Sequence, residues 1–260
     1  PDLGDVEQEQ DLSLSIARDY GWGTLTTQAG ASIRSDHSIA YGSLDLQRPL
    51  TGDVLRNLSF GIAINGPSYE TALCRVYCTQ SRVSAGIAGG LSRWDFFNLS
   101  VEGARYQTRE NEGLATGVKL DGAMGYVLTQ ELPRWDVSLR GVLQENDLAD
   151  QAPDSLTAMR SAPLTIDDLL PAEYRFLGVG TSVQGGDTPT TRGQLQYTLD
   201  AHTGWQWPAA EPSYGLRMSL ATSWLSWRDS LKFNLVYANS LTGDVDDSYS
   251  QVSLTYGYLF

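Results

Sequence analysis

The sequence predicts an all-β protein, a transmembrane antiparallel up-and-down β-barrel of about 12 to 16 strands. Apolar residues recur with a period of two along most of the chain, which is typical of strands with one apolar and one polar face. The alternating segments are roughly 9 to 15 residues long, whereas strands of soluble proteins average about 5 to 6 residues. A tilted strand needs about 9–11 residues to cross a bilayer core. Several apolar rows also end in aromatic residues, as in the girdles of membrane barrels.

The alternation locates each element in turn. At the C-terminus, for example, Val252, Leu254 and Tyr256 alternate with Ser253 and Thr255. A soluble β-sandwich would alternate in the same way, but it would not require strands of this length. Marked by alternation, the predicted strands in chain order are 10–20, 22–34, 37–48, 54–64, 82–92, 95–107, 114–129, 134–146, 172–183, 193–207, 213–225, 229–239 and 248–260.

These thirteen segments are an odd number, whereas bacterial single-chain barrels use an even number of strands. We therefore expect either a further strand in the polar stretch 65–81 or a strand divided wrongly near the N-terminus, and the working count is about 14. A helical turn is predicted within 165–175. The predicted organisation is a polar lead-in over 1–9 and a single barrel domain over 10–260.

The connections between the predicted strands alternate between short and long. Outer-membrane barrels have short periplasmic turns and longer external loops, and with a periplasmic C-terminus the segments 65–81, 108–113, 147–171, 208–212 and 240–247 lie outside. The connection 184–192 departs from this rule, because it is long and periplasmic. Loop 147–171 exceeds the length of about 12–15 residues above which loops are usually functional or disordered. We expect it to gate or plug the pore, with Asp154, Arg160, Asp167 and Asp168 among its charged residues.

Composition narrows the class of protein further. The chain carries 31 Asp+Glu against 18 Lys+Arg, a formal net charge of −13, which argues against nucleic-acid binding because phosphate neutralisation needs clustered basic residues. The mean hydropathy is −0.26, and no stretch of about 20 residues is apolar enough for a membrane helix. A barrel agrees with this value, since only alternate strand residues meet lipid.

The polar faces of the strands would line the lumen of such a barrel. Charges of both signs occur there, and rings of charge set the ion preference of a pore. The acidic surplus falls largely in loops, where it would attract cations or a cationic polymer. The predicted lumen residues are Asp45, Arg56, Glu102, Lys119, Asp121, Asp136, Arg140, Asp200, Arg217 and Lys232.

The cysteines, the histidines and one acidic run are the residues that could support other chemistry. Cys74 and Cys78 are predicted to form a disulfide that closes a small loop, with free thiols as the alternative; the single pair argues against zinc. Asp200 and His202 share a strand face about 7 Å apart, which assures no hydrogen bond, and no G-x-S-x-G motif is present. The run 243–247 could gather oxygen ligands for calcium but is more typical of a solvated turn. We therefore expect no enzyme, no cofactor and no metal.

The last eight residues, 253–260 (SLTYGYLF), resemble the C-terminal assembly signal of bacterial outer-membrane proteins. In that signal a final aromatic, a second aromatic two residues earlier and alternating apolar residues are recognised by the barrel-insertion machinery. Tyr256, Tyr258 and Phe260 match this pattern, whereas the usual glycine position holds Thr255 and a glycine stands at 257. The resemblance implies bacterial outer-membrane lipid and the insertion machinery as partners.

The whole chain also resembles the C-terminal porin domain of exopolysaccharide exporters, in particular the Pel type, with the cellulose-export porins as relatives. The residues that carry this resemblance are 169–174 (LLPAEY), which open a strand with 177–180 (LGVG). The family has a 16-stranded barrel preceded by a periplasmic tetratricopeptide-repeat scaffold. The resemblance implies an outer-membrane channel that exports a polysaccharide, cationic if it is a partly deacetylated amino-sugar polymer, and a scaffold in the same full-length chain. A general or substrate-specific diffusion porin and an outer-membrane hydrolase using His202 are the alternatives.

Overall fold

The computed structural model describes residues 10–33, 38–68, 70, 74, 77–151, 153, 165–186, 194–223, 229–239 and 249–258. The strands in these ranges are β1 (Gln10–Tyr20), β2 (Gly23–Ile33), β3 (Ser38–Pro49), β4 (Leu55–Pro67), β5 (Cys78–Gly89), β6 (Asp95–Thr108), β7 (Gly113–Thr129), β8 (Arg134–Leu148), β9 (Glu173–Gly185), β10 (Leu195–Trp207), β11 (Glu211–Thr222), β12 (Asp229–Ala238) and β13 (Tyr249–Tyr258). A short helix, α1 (Ile166–Leu169), lies between β8 and β9. No described helix is long and apolar enough to cross a membrane.

The strands follow one another in the sheet in chain order, which makes an antiparallel up-and-down arrangement. All thirteen predicted strands are confirmed, with each described end within four residues of the prediction. The fourteenth strand of the working count has no counterpart in the described residues. The described ends of the stretch 65–81 instead extend β4 to Pro67 and begin β5 at Cys78. The helical turn predicted within 165–175 is confirmed as α1.

The register gives the sheet one polar and one apolar face, because directly opposed residues of antiparallel strands share a face. Leu44 of β3 lies opposite Ile62 of β4, whereas the neighbouring Asp45 lies opposite Gly61. The same separation continues from β9 to β13. Large apolar side chains such as Ile62 and Val118 are exposed on what we call the apolar face. Serine, glutamine, asparagine and charged side chains predominate on the other, called the polar face.

The chain divides into two compact units. Unit 1 comprises residues 1–88, 99–120 and 144–173, and unit 2 comprises 89–98, 121–143 and 174–260. Unit 1 has a cluster of buried apolar side chains, which includes Leu169 and Leu170 from the connection between β8 and β9. Unit 2 contains β9 to β13 and the ends of β6, β7 and β8 that lie nearer the short turns.

Two turns depend on residues that accept a left-handed backbone conformation. In the β6–β7 turn Asn111 has φ 66°, and the amide of Thr108 donates to the carbonyl of Glu112 at 2.8 Å. After β9, Gly186 has φ 77°. Asparagine and glycine are the residues that tolerate this region best, so both turns adopt it at little conformational cost.

Candidate functional site

A cluster of charged residues lies on the polar face of unit 2. Asp200 of β10 stands directly opposite Arg217 of β11, so opposite charges are paired across neighbouring strands. Asp136 of β8 is close enough to interact electrostatically with both Asp200 and Arg140. The Nε of Arg140 donates to Ser138 Oγ at 3.2 Å. The sequence predicted four of these five residues for the lumen, and the structure brings those four together on one face.

His202 lies in the same cluster, opposite Gly180 of β9 and Gly215 of β11. Its ring meets the ring of Phe176 edge-on, with 5.9 Å between the centroids. Arg140 and Arg217 both lie within electrostatic reach of the imidazole. His202 therefore packs against Phe176 with Asp200 and two arginines nearby. Gly215 leaves room for the imidazole ring, whereas Gly180 leaves room for the side chain of Arg140.

Unit 1 carries two ion pairs on its polar side. Glu102 of β6 accepts hydrogen bonds from Gln80 Nε2 at 2.9 Å and from Arg82 Nη1 at 3.3 Å. Lys119 of β7 lies 3.4 Å from Glu70, whose side chain is only 7% exposed. The second pair joins a strand of the sheet to the connection between β4 and β5. It therefore holds part of that connection against the polar face.

Beside these ion pairs, buried side chains from two connections and from the adjoining ends of β5, β6 and β7 form what we call the loop cluster. Its members are Cys74, Cys78, Tyr106, Leu114, Ala115, Ile166, Leu169 and Leu170. Tyr106 lies four residues after Glu102 on β6, and residues an even number of positions apart on a strand share a face. Tyr106 therefore belongs to the polar face of β6. The connection after α1 is fixed to β8, since Asn146 Nδ2 donates to the carbonyl of Pro171 and the Asn146 amide donates to that of Ala172, both at 2.7 Å.

Cys74 and Cys78 are joined by a disulfide, with their Cα atoms 4.7 Å apart. Both cysteines are fully buried in the loop cluster. The disulfide closes the segment next to Glu70, so the same connection is held by a covalent bond and by an ion pair.

The remaining predicted site residues fall in several places. Asp45, Asp121 and Lys232, which were predicted to line a lumen, lie on the polar face of the sheet. Arg56 differs, because it has the parity of Phe60 and Ile62 and therefore stands at the end of an apolar row. Its position near the strand end is compatible with a long side chain that reaches water past apolar neighbours.

Of the predicted loop and assembly residues, only some are described. Asp167 is exposed on α1, and Tyr256 is exposed on the apolar face of β13. Asp168 and Tyr258 belong to α1 and β13 by their backbone, but their side chains lie outside the described residues. Asp154, Arg160, Phe260 and the acidic run 243–247 also lie outside them. Among the described residues no group of three or more His, Cys, Asp or Glu side chains could hold a metal ion.

Glu70, Gln80 and Arg82 were not predicted from the sequence. Glu70 lies in a connection that alternation does not describe, so no periodic signal indicated it. Gln80 was missed because β5 begins at Cys78, four residues before the predicted start. Arg82 opened the predicted strand and has the parity of Ser84 and Gly86, so continuing the polar row back to residue 82 would have found it.

The comparisons with known proteins agree with this architecture. The model of the family described as "PelB, C-terminal beta barrel domain" matches residues 2–259. A solved structure described as "Bacterial polysaccharide outer membrane secretin" is similar in fold, with a TM-score of 0.63 and 8% sequence identity. The similarity covers 95% of this chain and 78% of that one. No curated protein sequence matches the chain.

Proposed function

Because the chain belongs to the family of PelB C-terminal beta barrel domains, and is therefore a β-barrel of the bacterial outer membrane, we propose that it is a channel through which an exopolysaccharide leaves the cell. The observation that carries the proposal is the polar face, which the register continues through β2–β4 and through β9–β13, with Asp45, Asp200, Arg217 and Lys232 on it. In a closed barrel one sheet face meets lipid and the other meets the lumen. The export function agrees with the name of the structurally similar polysaccharide secretin.

The proposed organisation is a lead-in over 1–9 and one barrel domain over 10–260. The C-terminal row that ends in Tyr256, Tyr258 and Phe260 would be bound by the barrel-insertion machinery, and a periplasmic scaffold would precede the barrel in the full-length chain. The mechanism is passive: a polymer moves through a polar lumen without covalent chemistry. No residue is assigned a catalytic role, and no cofactor is required.

If the apolar face meets lipid, lysine substitutions at two neighbouring residues of β4 should change the free energy of unfolding by unequal amounts. Ile62 is on the apolar face and Ala63 is on the polar face. We expect Ile62→Lys to lower the free energy of unfolding in lipid vesicles by about 2–4 kcal/mol, the cost of a lysine near the bilayer midplane. The matched variant Ala63→Lys should change it by less than about 1 kcal/mol. Denaturant unfolding in vesicles measures both, and equal costs would contradict the assignment of faces.

The proposed substrate is a cationic polymer, such as a partly deacetylated amino-sugar chain. The net charge of −13 favours cations at the pore, and Asp136 and Asp200 place carboxylates among the lumen residues. A polymer that carries one charge per residue would exchange contacts along such a surface without strong binding at any one site. Weak binding at many sites is what conduction requires.

Replacing both Asp136 and Asp200 by Asn tests this substrate class. In planar bilayers we expect block of the ion current by chitosan oligomers to weaken by roughly five- to thirtyfold, because one charge pair at about 4 Å is worth about 1 kcal/mol in water. The cation preference of the channel should fall with it. Asp53→Asn in the β3–β4 turn is the matched control and should change neither. Equal block in the double variant and the control would rule out these two carboxylates as the basis of selectivity.

The alternatives are distinguished by simple measurements. A general or substrate-specific diffusion porin would conduct ions but would show no preference for a cationic polysaccharide over a neutral one of equal size. An outer-membrane hydrolase would lose a lipid- or peptide-cleaving activity in His202→Ala. The contacts of His202 with Phe176 and its neighbouring arginines favour a packing role over acid–base chemistry.

We also propose that loop 147–171 gates the channel. The support is the loop cluster, in which Ile166, Leu169 and Leu170 pack beside Tyr106 of the polar face. A connection buried on that side would narrow the lumen. Asp154, Arg160, Asp167 and Asp168 would add charge to this gate.

A further inference from the structure

The apolar face of unit 2 carries a groove with a volume of about 1070 Å³. The residues that line it come mostly from β6 to β10, and those of the apolar face include Phe97, Met124, Tyr126, Val137, Leu139 and Val179. Ser138 and His202, which belong to the polar face, are also part of the lining. Strand parity places the six residues named first on the apolar face, and most are well exposed. In a membrane barrel this face meets lipid, so the groove is accessible to an acyl chain.

An arginine and two aromatic rings lie next to the groove, near the C-terminal end of β7. The guanidinium of Arg93 lies over the ring of Trp94, 5.2 Å from its centroid. The ring of Trp94 stacks on that of Tyr126, with 6.2 Å between centroids and 12° between planes. Tyr126 also flanks the groove, so the cation, the rings and the groove are contiguous.

The turn that presents Arg93 is held by several hydrogen bonds. The amide of Ser92 donates to Asp95 Oδ1 at 2.7 Å, and that of Trp94 donates to Ser92 Oγ at 3.0 Å. From the β7–β8 turn, Gln130 Nε2 donates to the carbonyl of Arg93 at 2.9 Å. The cation is therefore positioned before any ligand binds, which reduces the ordering cost of binding.

The same arrangement of an arginine and two aromatic rings occurs in unit 1, at the turn between β1 and β2. Like the β5–β6 turn, this turn joins an odd-numbered strand to the next even-numbered strand. Arg18 lies over the ring of Tyr20, 5.3 Å from its centroid, and Tyr20 stacks on Trp22 at 5.5 Å. Tyrosine and tryptophan prefer the boundary between hydrocarbon and water. An arginine held on such rings keeps its donors free for an anion at the level of the headgroups.

From the groove and its adjoining cation, we propose that Arg93, Trp94 and Tyr126 form a binding site for an anionic glycerophospholipid of the periplasmic leaflet. The phosphate contacts the Arg93 guanidinium, and one acyl chain occupies the groove between Met124, Leu139 and Val179. The periplasmic assignment rests on the proposed orientation, in which the short odd-to-even turns face the periplasm. The site needs no polysaccharide, so it stands independently of the transport activity.

The test is native mass spectrometry of the protein released from micelles that contain equal amounts of phosphatidylglycerol and phosphatidylcholine. We expect the wild-type protein to retain phosphatidylglycerol preferentially, and Arg93→Gln to reduce that preference about fivefold. Arg105→Gln removes a cation from the opposite end of the apolar row of β6 and should leave the preference unchanged. Val179→Trp fills the groove and should reduce retention of both lipids.

Two outcomes would overturn the proposal. One is an equal preference in Arg93→Gln and Arg105→Gln. The other is retention of lipopolysaccharide in place of phosphatidylglycerol when both are supplied, since that lipid belongs to the external leaflet. Far-ultraviolet circular dichroism of each variant establishes that the strands are intact. Single-channel conductance should be unchanged in Arg93→Gln, so failure of the lipid site is distinguishable from failure of the channel function.

Discussion

Deletion of residues 152–168 should raise the single-channel conductance several-fold. The deletion removes Ile166 from the loop cluster together with the first part of α1 and most of the preceding connection. What remains of the loop would lose its packing against the polar face, and the ion path beside Tyr106 would widen. Because ion flow through a pore depends on its narrowest section, opening this section has the largest effect expected of any single change in the chain. Planar-bilayer recordings of the purified protein measure it.

The matched control is deletion of 187–192, in the connection proposed to be periplasmic. That variant should conduct like the wild-type protein. An unchanged conductance after deletion of 152–168 would contradict the gate, provided that the variant still unfolds cooperatively. A conductance increase after both deletions would indicate general loosening of the barrel.

Leu170→Asp should release the loop without removing it. Leu170 is fully buried in the loop cluster, and a carboxylate placed there would have to be desolvated or would force the loop into water. Losing a buried leucine typically costs about 2–5 kcal/mol, and an unpaired buried charge adds to that cost. We expect the closed arrangement to lose most of its population. The recordings should show a higher mean conductance with frequent transitions between levels.

Asp167→Asn is the control for this substitution, because Asp167 is exposed in α1, the short helix that Leu170 directly follows. It should leave the conductance levels close to those of the wild-type protein. Protease digestion in detergent gives a second readout, since a released loop should be cut faster in Leu170→Asp than in Asp167→Asn. Equal digestion and equal conductance of the two variants would mean that burial of Leu170 does not close the channel.

Much of the fold could be predicted from alternation alone. A strand presents successive side chains to opposite faces. In a strand long enough to cross a membrane, the alternation therefore shows which side chains face lipid and which face the polar side. For this reason β6, β7 and β8 were located within two residues at both ends. β5 was placed less well, since it starts at Cys78 in a polar stretch where the apolar signal has not yet begun. Arg56, predicted for the lumen, instead shares the apolar row of Ile62, because the charge of a long side chain at a strand end does not fix the face that it occupies.

The ion pairs and the loop cluster could not be predicted in the same way. Glu70 and Lys119 are 49 residues apart. Connections have no period, so their positions depend on contacts that form after the strands have paired.

The sequence by itself thus determined the strands, their order and the division between the two faces, because these depend on local geometry and on the two solvents that the faces meet. Only the tertiary structure decided which connections pack against the polar face, which charges form pairs, and that Trp94 stacks on Tyr126. Those arrangements depend on distances between residues remote in the chain, and alternation along a single strand does not record such distances.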